Sequence, residues 1–402
     1  ILGIPYLDVV RAAILPALIS YFALFYVVHI EALKLGIKAL PREELPPFFK
    51  TFIRGIHFLI PLGVLVVYLV IMRRSPITSA QLAIESLVVI MVIQRPVIVF
   101  LKAGVDSKAG TLDPSFNLKK SILKAFLTGL EEVKNGLIQG ARNMISVGVA
   151  TATAGIIVGV VTITGLVGRF IILIDTISMG NVVLMLIFTA MTSLLLGMGM
   201  PTTANYIIMA TLTAPVIIQL GADAGLVFPL IAAHLFVFYF GILADDTPPV
   251  GLAAYAGAAI ARSDPIKTGI QGFTYDLRTA ILPFIFLFNT ELLMIKGVSE
   301  NGSAIWISDP IRIGWTFFSG LIAMFAFASF LQGHLVTRLN LVERLVLIVV
   351  AASTFKATTI EAYVPLGPAT IKALGVSAYF GLCIWQKMRL DRRKASARRI
   401  GG

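Results

Sequence analysis

The chain has 402 residues, 57% of them hydrophobic and 13% charged, with a formal net charge of +12 and a mean hydropathy of +0.91. Ordinary globular domains are about a quarter charged, and a soluble core cannot hide this much apolar surface, so lipid is the solvent for most of the chain. Lipid leaves no backbone polar group unpaired, which excludes everything but helices and closed barrels, and the long apolar runs without period-two alternation select helices.

The elements follow in chain order. Position 1 is isoleucine, and no charged region or cleavage site precedes the first apolar run, so the N-terminus reads as cut rather than natural. Residues 11–30 form a first span, with Pro16 in its early part. Residues 31–54 are a polar connection containing P-R-E-E-L-P-P, and 55–72 span again, ending at Arg73 and Arg74. The apolar stretch 77–101 holds Glu85 and the triplet Gln94-Arg95-Pro96. It is either a broken span or one beside a polar partner, and Glu85 and Arg95 are candidates to pair across the break. A loop at 104–117 leads to 118–143, where Ile122, Leu123, Phe126, Leu127, Leu130, Val133 and Leu137 recur at helical spacing. Lysines and the pair Glu131-Glu132 lie on the other side. This is a helix along the membrane interface or a cytosolic helix packed on the protein.

Residues 145–174 are apolar and rich in Gly and Thr. From Thr176 to Ala222 no charged residue occurs for 47 residues. As one helix that run would be about 70 Å long, against about 30 Å of hydrocarbon. Its centre reads G-M-G-M-P-T-T-A-N-Y at 197–206. Pro201 has no N–H, so the carbonyl of Gly197 loses its helical donor, and the glycines let the chain turn. Proline also suits the first turn of a new helix. The run is therefore a hairpin whose arms are re-entrant or just spanning.

The next apolar segment, 225–243, is interrupted by A-D-D-T-P-P at 244–249 and resumes for only twelve residues at 250–261. Pro248 strips the carbonyl of Ala244 of its donor, and Pro249 does the same to Asp245. Exposed carbonyls beside Asp245, Asp246 and the Thr247 hydroxyl are the hard oxygens that an alkali cation needs, and half-helix N-termini can face an anion. Secondary transporters use discontinuous helices in this way at the bilayer midplane. The bland reading of either break is an ordinary surface loop, in which the carboxylates are simply hydrated. His234, midway along its apolar segment, reads as a hydrogen-bonded packing residue rather than a proton relay.

Residues 279–295 and 311–331 span, and two last apolar stretches at 341–352 and 371–385 precede the tail K-M-R-L-D-R-R-K-A-S-A-R-R-I-G-G. That tail has seven basic residues and one acidic one, half of the excess charge. It reads as a cytoplasmic end obeying the positive-inside bias rather than a nucleic-acid arm. The four histidines show no ligand spacing and the single Cys383 excludes an internal disulfide or thiolate cluster. No G-x-x-x-x-G-K-[ST] loop is present, so the chain does not itself hydrolyse ATP.

One internal similarity stands out: R-A-A-I-L-P at 11–16 and R-T-A-I-L-P at 278–283 agree at five of six positions. Six residues can match by chance. As a true repeat the match sets Ile1 against Thr268, and the counterpart of 140–267 would precede residue 1.

At these residues the chain resembles the large membrane subunit of TRAP transporters, the tripartite, periplasmic-protein-dependent secondary importers, and most of all the fused permeases of the TAXI subgroup. The matching words are G-I-I-V-G-V-V-T-I-T-G-L at 155–166, L-G-M-G-M-P-T-T-A-N-Y at 196–206, H-L-F-V-F-Y-F-G at 234–241 and D-D-T-P-P-V-G-L-A-A-Y-A at 245–256. The segment 6–34, with V-V-R-A-A-I-L-P-A-L, also looks like the one following the family's first broken helix. The resemblance reaches to about 294 and is weak past Lys296.

The resemblance implies an all-α polytopic membrane protein of the inverted-repeat elevator type, each repeat with a re-entrant hairpin and a broken helix, the first repeat truncated here. It implies sodium-coupled uptake of small organic anions, chiefly carboxylates. A periplasmic substrate-binding protein of TAXI type delivers them, and a small membrane subunit or its fused equivalent lies upstream. It divides the chain into 1–103, the end of the first repeat with scaffold helices; 104–143, a loop and interfacial helix; and 144–296, the second repeat with its hairpin at 181–219 and broken helix at 225–262. Extra helices at 297–386 and a basic cytoplasmic tail at 387–402 complete it. Carried over by position, Gly199, Pro201, Thr202, Thr203, Asn205, Thr247, Pro248 and Pro249 would line the anion pocket. Gly197, Thr203, Ala244, Asp245, Asp246 and Thr247 would hold Na+, with no organic cofactor. The location implied is the bacterial or archaeal inner membrane. The rivals are a channel-like or non-transporting scaffold subunit and, remotely, an intramembrane aspartyl protease. Tyr275-Asp276 imitates half of the protease motif, but the partner G-x-G-D is missing, so the chain is read as a non-enzyme. No arginine lies at either break in the sequence.

Overall fold

The computed structural model describes residues 2–108, 116–248, 251–299, 303–355 and 367–400. It is 81% helical, as a chain solvated by lipid must be unless it closes a barrel. Among the described residues four helices are long and apolar enough to cross a membrane: Tyr6–Lys34, Pro76–Val105, Thr202–Asp223 and Pro310–Gln332. The number rises to six if two bent pairs each count as one span.

The chain divides into two compact units, one made of Ile1–Ile4, Asp8–Lys38 and Ala150–Gly402, the other of Pro5–Leu7 and Ala39–Val149. The second unit holds α2 (Phe48–Gly55), α3 (Leu59–Val66) with a π turn at Val67–Ile71, α4 (Pro76–Lys108) and the first part of α5 (Leu118–Ile163). The connection at 31–54 is thus partly helical. Pro96 does not break α4; the span runs beside a polar partner instead. Arg95 donates from Nε to Glu132 Oε2 of α5 at 2.9 Å, with a second bond from Nη2. Glu85, offered as its mate, accepts from Gln81 one turn away. Glu85 and Arg95 lie ten residues apart on one helix, beyond the reach of an i,i+4 pair. Close by, Gly129 of α5 lies against α4, where a Cβ would meet the Met91 carbonyl and Val92 Cα at 3.0 Å.

The amphipathic stretch 118–143 runs without interruption into the apolar one that follows, because nothing between Asn143 and Val160 breaks a helix. Gly165, at φ +62°, ends it, and α6 (Leu166–Ser178) leaves at 78°.

In the first unit α1 (Tyr6–Lys34) buries Ala12, Leu15, Pro16, Ile19, Ala23, Val27 and Ile30, a single stripe at spacings of three and four. Helix α12 (Pro265–Phe288) buries Arg278, Leu282, Pro283 and Phe286, so the shared word has the same inward positions at Leu15 and Leu282, Pro16 and Pro283. Ser20 and Thr279 hydroxyls bring the two helices together at 3.5 Å. Beyond α12 a two-stranded antiparallel hairpin, β1 (Ile295–Val298) and β2 (Ala304–Trp306), leads to α13 (Pro310–Gln332), α14 (Leu341–Phe355) and α15 (Pro368–Ile400). Glu291 ties this part together. It accepts from Arg312 Nε at 3.1 Å and Thr316 Oγ1 at 3.3 Å, and Lys372 Nζ lies at 3.5 Å. Arg11 donates to the Ile307 carbonyl at 3.0 Å and lies 4.8 Å over the Trp306 ring.

Two substitutions in the second unit separate packing from charge. Gly129→Val is expected to force α4 and α5 apart and cost about 1–3 kcal/mol. Glu132→Gln, at a partly exposed pair, should cost no more than about 1 kcal/mol. Thermal unfolding of the purified protein in detergent ranks the two, and an equal or reversed order contradicts this packing.

Candidate functional site

Four helices of the first unit build the site: α7 (Val182–Gly197), α8 (Thr202–Leu212), α9 (Ala214–Asp223) and α10 (Leu230–Ala244). Asn181 starts α7, its Oδ1 accepting from Val183 N at 2.9 Å and Leu184 N at 3.1 Å, which satisfies two of the N–H groups a helix start leaves free. After Gly197 the chain turns through Gly199, at φ +80°, a conformation that glycine adopts without steric cost. Pro201 then caps α8. The arms are in contact, with Ser193 and Thr213 hydroxyls 3.3 Å apart, so the neutral run is a hairpin whose returning arm bends between α8 and α9.

This hairpin lies against the broken helix, whose halves are α10 and α11 (Leu252–Ala261). Thr202 Oγ1 donates to Asp245 Oδ2 at 2.7 Å, Asn205 Nδ2 donates to the Gly241 carbonyl at 3.0 Å, and the Tyr206 hydroxyl lies 3.0 Å from His234 Nδ1. Residue numbers rise along α8 as they fall along α10, so the two run antiparallel. The N-terminal end of α8 thereby meets the Asp245 carboxylate, the sign that a helix dipole favours. His234 is buried and bonded, as a packing residue should be.

The closeness depends on small residues. A Cβ on Gly197 would fall onto the Asn205 amide and lie 2.7 Å from the Ala244 methyl, and one on Gly241 would lie 3.0 Å from Asn205 Nδ2. Asn205 fills the gap between α7 and α10 and is fully buried.

The prolines free these carbonyls only in part. Pro248 does deprive Ala244 of its usual donor, but the Thr247 N–H turns back to that carbonyl at 3.3 Å, and Met200 N does the same for Gly197 at 3.2 Å. Helix ends tighten in this way to satisfy their last carbonyls, so both oxygens keep one lone pair rather than two. The oxygens without any partner are on side chains. Asn205 Oδ1 and Asp245 Oδ1 are buried with no hydrogen bond. The Thr247 hydroxyl donates to the Leu243 carbonyl at 2.7 Å, which leaves its own lone pairs free. Thr203 and Gly199 are exposed, and Pro201 and Pro248 are half-buried at the two turns. Pro249 lies outside the described residues.

The two adjacent aspartates face different helices. Asp245 turns to α8, while Asp246 lies against Asp276 on α12. Arg278, 2% exposed, lies 3.7 Å from Asp276 Oδ1 and donates to the Tyr275 carbonyl, while its Nε has no partner. An arginine therefore stands behind the second break after all. Sequence reasoning missed it because it sits some thirty residues further on; the repeated word R-x-A-I-L-P was the available signal.

The family comparison decides what kind of protein carries this junction. The family described as Tripartite ATP-independent periplasmic transporter, DctM component, matches residues 1–300. The chain belongs to that family. It is a multi-pass permease of a TRAP-type secondary transporter, and the family implies association with a periplasmic binding protein and a small membrane subunit. No curated protein and no solved structure matches the chain. Both breaks, α12 and Arg278 fall inside the matched region, and α13 to α15 lie beyond it.

The junction predicts a steep steric response in the permease. Gly197→Ala should cost about 1–3 kcal/mol by pushing Asn205 off α10, whereas Gly199→Asn, in an exposed left-handed turn that Asn tolerates, should be nearly neutral. Melting temperatures in detergent test this, and equal losses at both positions contradict the described contact.

Proposed function

We propose that the chain is the permease of a sodium-coupled importer of small organic anions, carboxylates in particular, working by elevator-type alternating access. A periplasmic binding protein of TAXI type delivers the substrate, and the small membrane subunit is separate or fused upstream. The C-terminal basic tail lies on the cytoplasmic side.

One observation carries this reading: two buried acceptor oxygens, Asn205 Oδ1 and Asp245 Oδ1, have no hydrogen-bond partner and stand on facing elements of one junction. A buried acceptor left unmade costs about 1–3 kcal/mol, and a hard cation bound by oxygen ligands offsets that cost. The Thr247 hydroxyl and the remaining lone pairs of the Gly197 and Ala244 carbonyls complete a donor set of oxygens alone, which fits Na+. The turns at Gly199, Pro201, Thr202, Thr247 and Pro248 form the wall that meets the anion. An elevator needs such a unit to move as one body, and the contacts among α7, α8 and α10 supply the cohesion. The scaffold reading predicts no sodium response at all.

The test is uptake into proteoliposomes holding the complete transporter, driven by a sodium gradient and supplied with the binding protein charged with its radiolabelled anion. Thr247→Ala and Pro248→Ala should each raise the half-saturating sodium concentration about tenfold, the equivalent of ~1.4 kcal/mol. An unchanged sodium response in both variants refutes the placement of the ion, and uptake indifferent to sodium in the parent refutes the coupling.

A further inference from the structure

The connection before the second span carries a surface that neither the hairpin nor the broken helix explains. In α2 (Phe48–Gly55) the apolar residues are Phe48, Phe49, Phe52 and Ile53, followed by Ile56. At 3.6 residues per turn these five positions cover an arc of about 140°, and Lys50 and Thr51 fall on the opposite side. The arc has no protein cover among the described residues: Phe49 is 76% exposed and Phe48 70%. The rings gather along it, with Phe48 stacked on Phe52 at 5.8 Å and edge-on to Phe49 at 5.5 Å.

Three facts say what covers such a face. The helix joins directly, through Gly55, to an apolar segment at Ile56–Ile71 whose side chains Leu59, Ile60, Leu62, Val66 and Ile71 are exposed, as lipid-facing residues are. The stretch Arg42–Ile53, which holds most of α2, meets that segment at 54°, so the chain swings away from the axis of the span. The start of α2, just after Pro46 and Pro47, also stops any helix from running straight through. A short helix with an aromatic arc, a cation opposite and a bend at the mouth of a span suits the boundary between headgroups and acyl chains, where apolar faces sink about 5–10 Å.

We propose that α2 is an interfacial anchor, lying along the phospholipid surface with Phe48, Phe49, Phe52 and Ile53 in the acyl region and Lys50 among the headgroups, and that it fixes the height of the second span in the bilayer.

The test uses the full chain with Cys383→Ser, reconstituted in phosphatidylcholine–phosphatidylglycerol vesicles. Nitroxide labels are placed one at a time through Phe49→Cys, Ile53→Cys, Lys50→Cys and Thr51→Cys. Collision rates with oxygen, which concentrates in the acyl region, are compared with those of a water-soluble nickel chelate. Expected is a high oxygen-to-nickel ratio at 49 and 53 and a low one at 50 and 51, and either member of each pair carries the result if the other variant does not fold. High nickel access at all four positions puts the helix in water and overturns the proposal. Immobile labels at 49 and 53 shielded from both reagents assign the face to a protein partner and overturn it equally. High oxygen ratios at all four make the segment transmembrane, the third contrary outcome.

Discussion

The amide of Asn205 occupies the space that Gly197, Gly241 and Ala244 leave open, and the approach of α7, α8 and α10 depends on that fit. Its Nδ2 donates to a backbone carbonyl of the facing helix, while its Oδ1 is left buried without a partner. In a low-dielectric interior a satisfied polar contact specifies one arrangement, and an unsatisfied one is costly. The same side chain thus does both things at once: it fixes the hairpin on the broken helix and leaves one buried oxygen unpaired, as Asp245 does across the junction. The Thr202–Asp245 bond, across the same junction, sets the distance between the two turns.

Much of this was legible in the amino-acid order. A neutral run far too long for the bilayer, with Gly and Pro at its centre, could only be a hairpin, and a Pro-Pro dipeptide after two aspartates could only end a helix. What the order did not show was where the satisfied and unsatisfied oxygens would fall. Prolines remove donors from the carbonyls before them, but the turns at Met200 and Thr247 recapture those carbonyls through bonds that only folded geometry reveals. Asn205 was read as a lining residue, and its packing role needs knowledge of Gly241, thirty-six residues away. The Asp246–Asp276 contact and Arg278 were missed for the same reason. In the second unit the sequence offered Arg95 two kinds of neighbour, and the answer came from a different helix. The continuity of α5 was hidden by a change of composition along one helix, charged on one face and then uncharged, which pattern reading treats as two segments.

The part of the chain beyond the family match is attached by charge as well as by packing. Glu291 stands where α12 ends and collects Arg312, Thr316 and Lys372 from α13 and α15, so one carboxylate links the end of α12 to the later helices. The hairpin β1–β2 similarly seats Arg11 through Trp306 and Ile307. These contacts tie α1, α12, α13 and α15 together within the first unit.

The central question is whether the buried oxygens of the junction hold a cation. Equilibrium binding of radioactive sodium to the purified complete permease, without any gradient or substrate, measures that directly. Saturable binding in the parent, lost in Asn205→Ala and in Asp245→Asn but kept in Asp276→Asn, is the predicted result. Binding retained in both of the first two variants contradicts it.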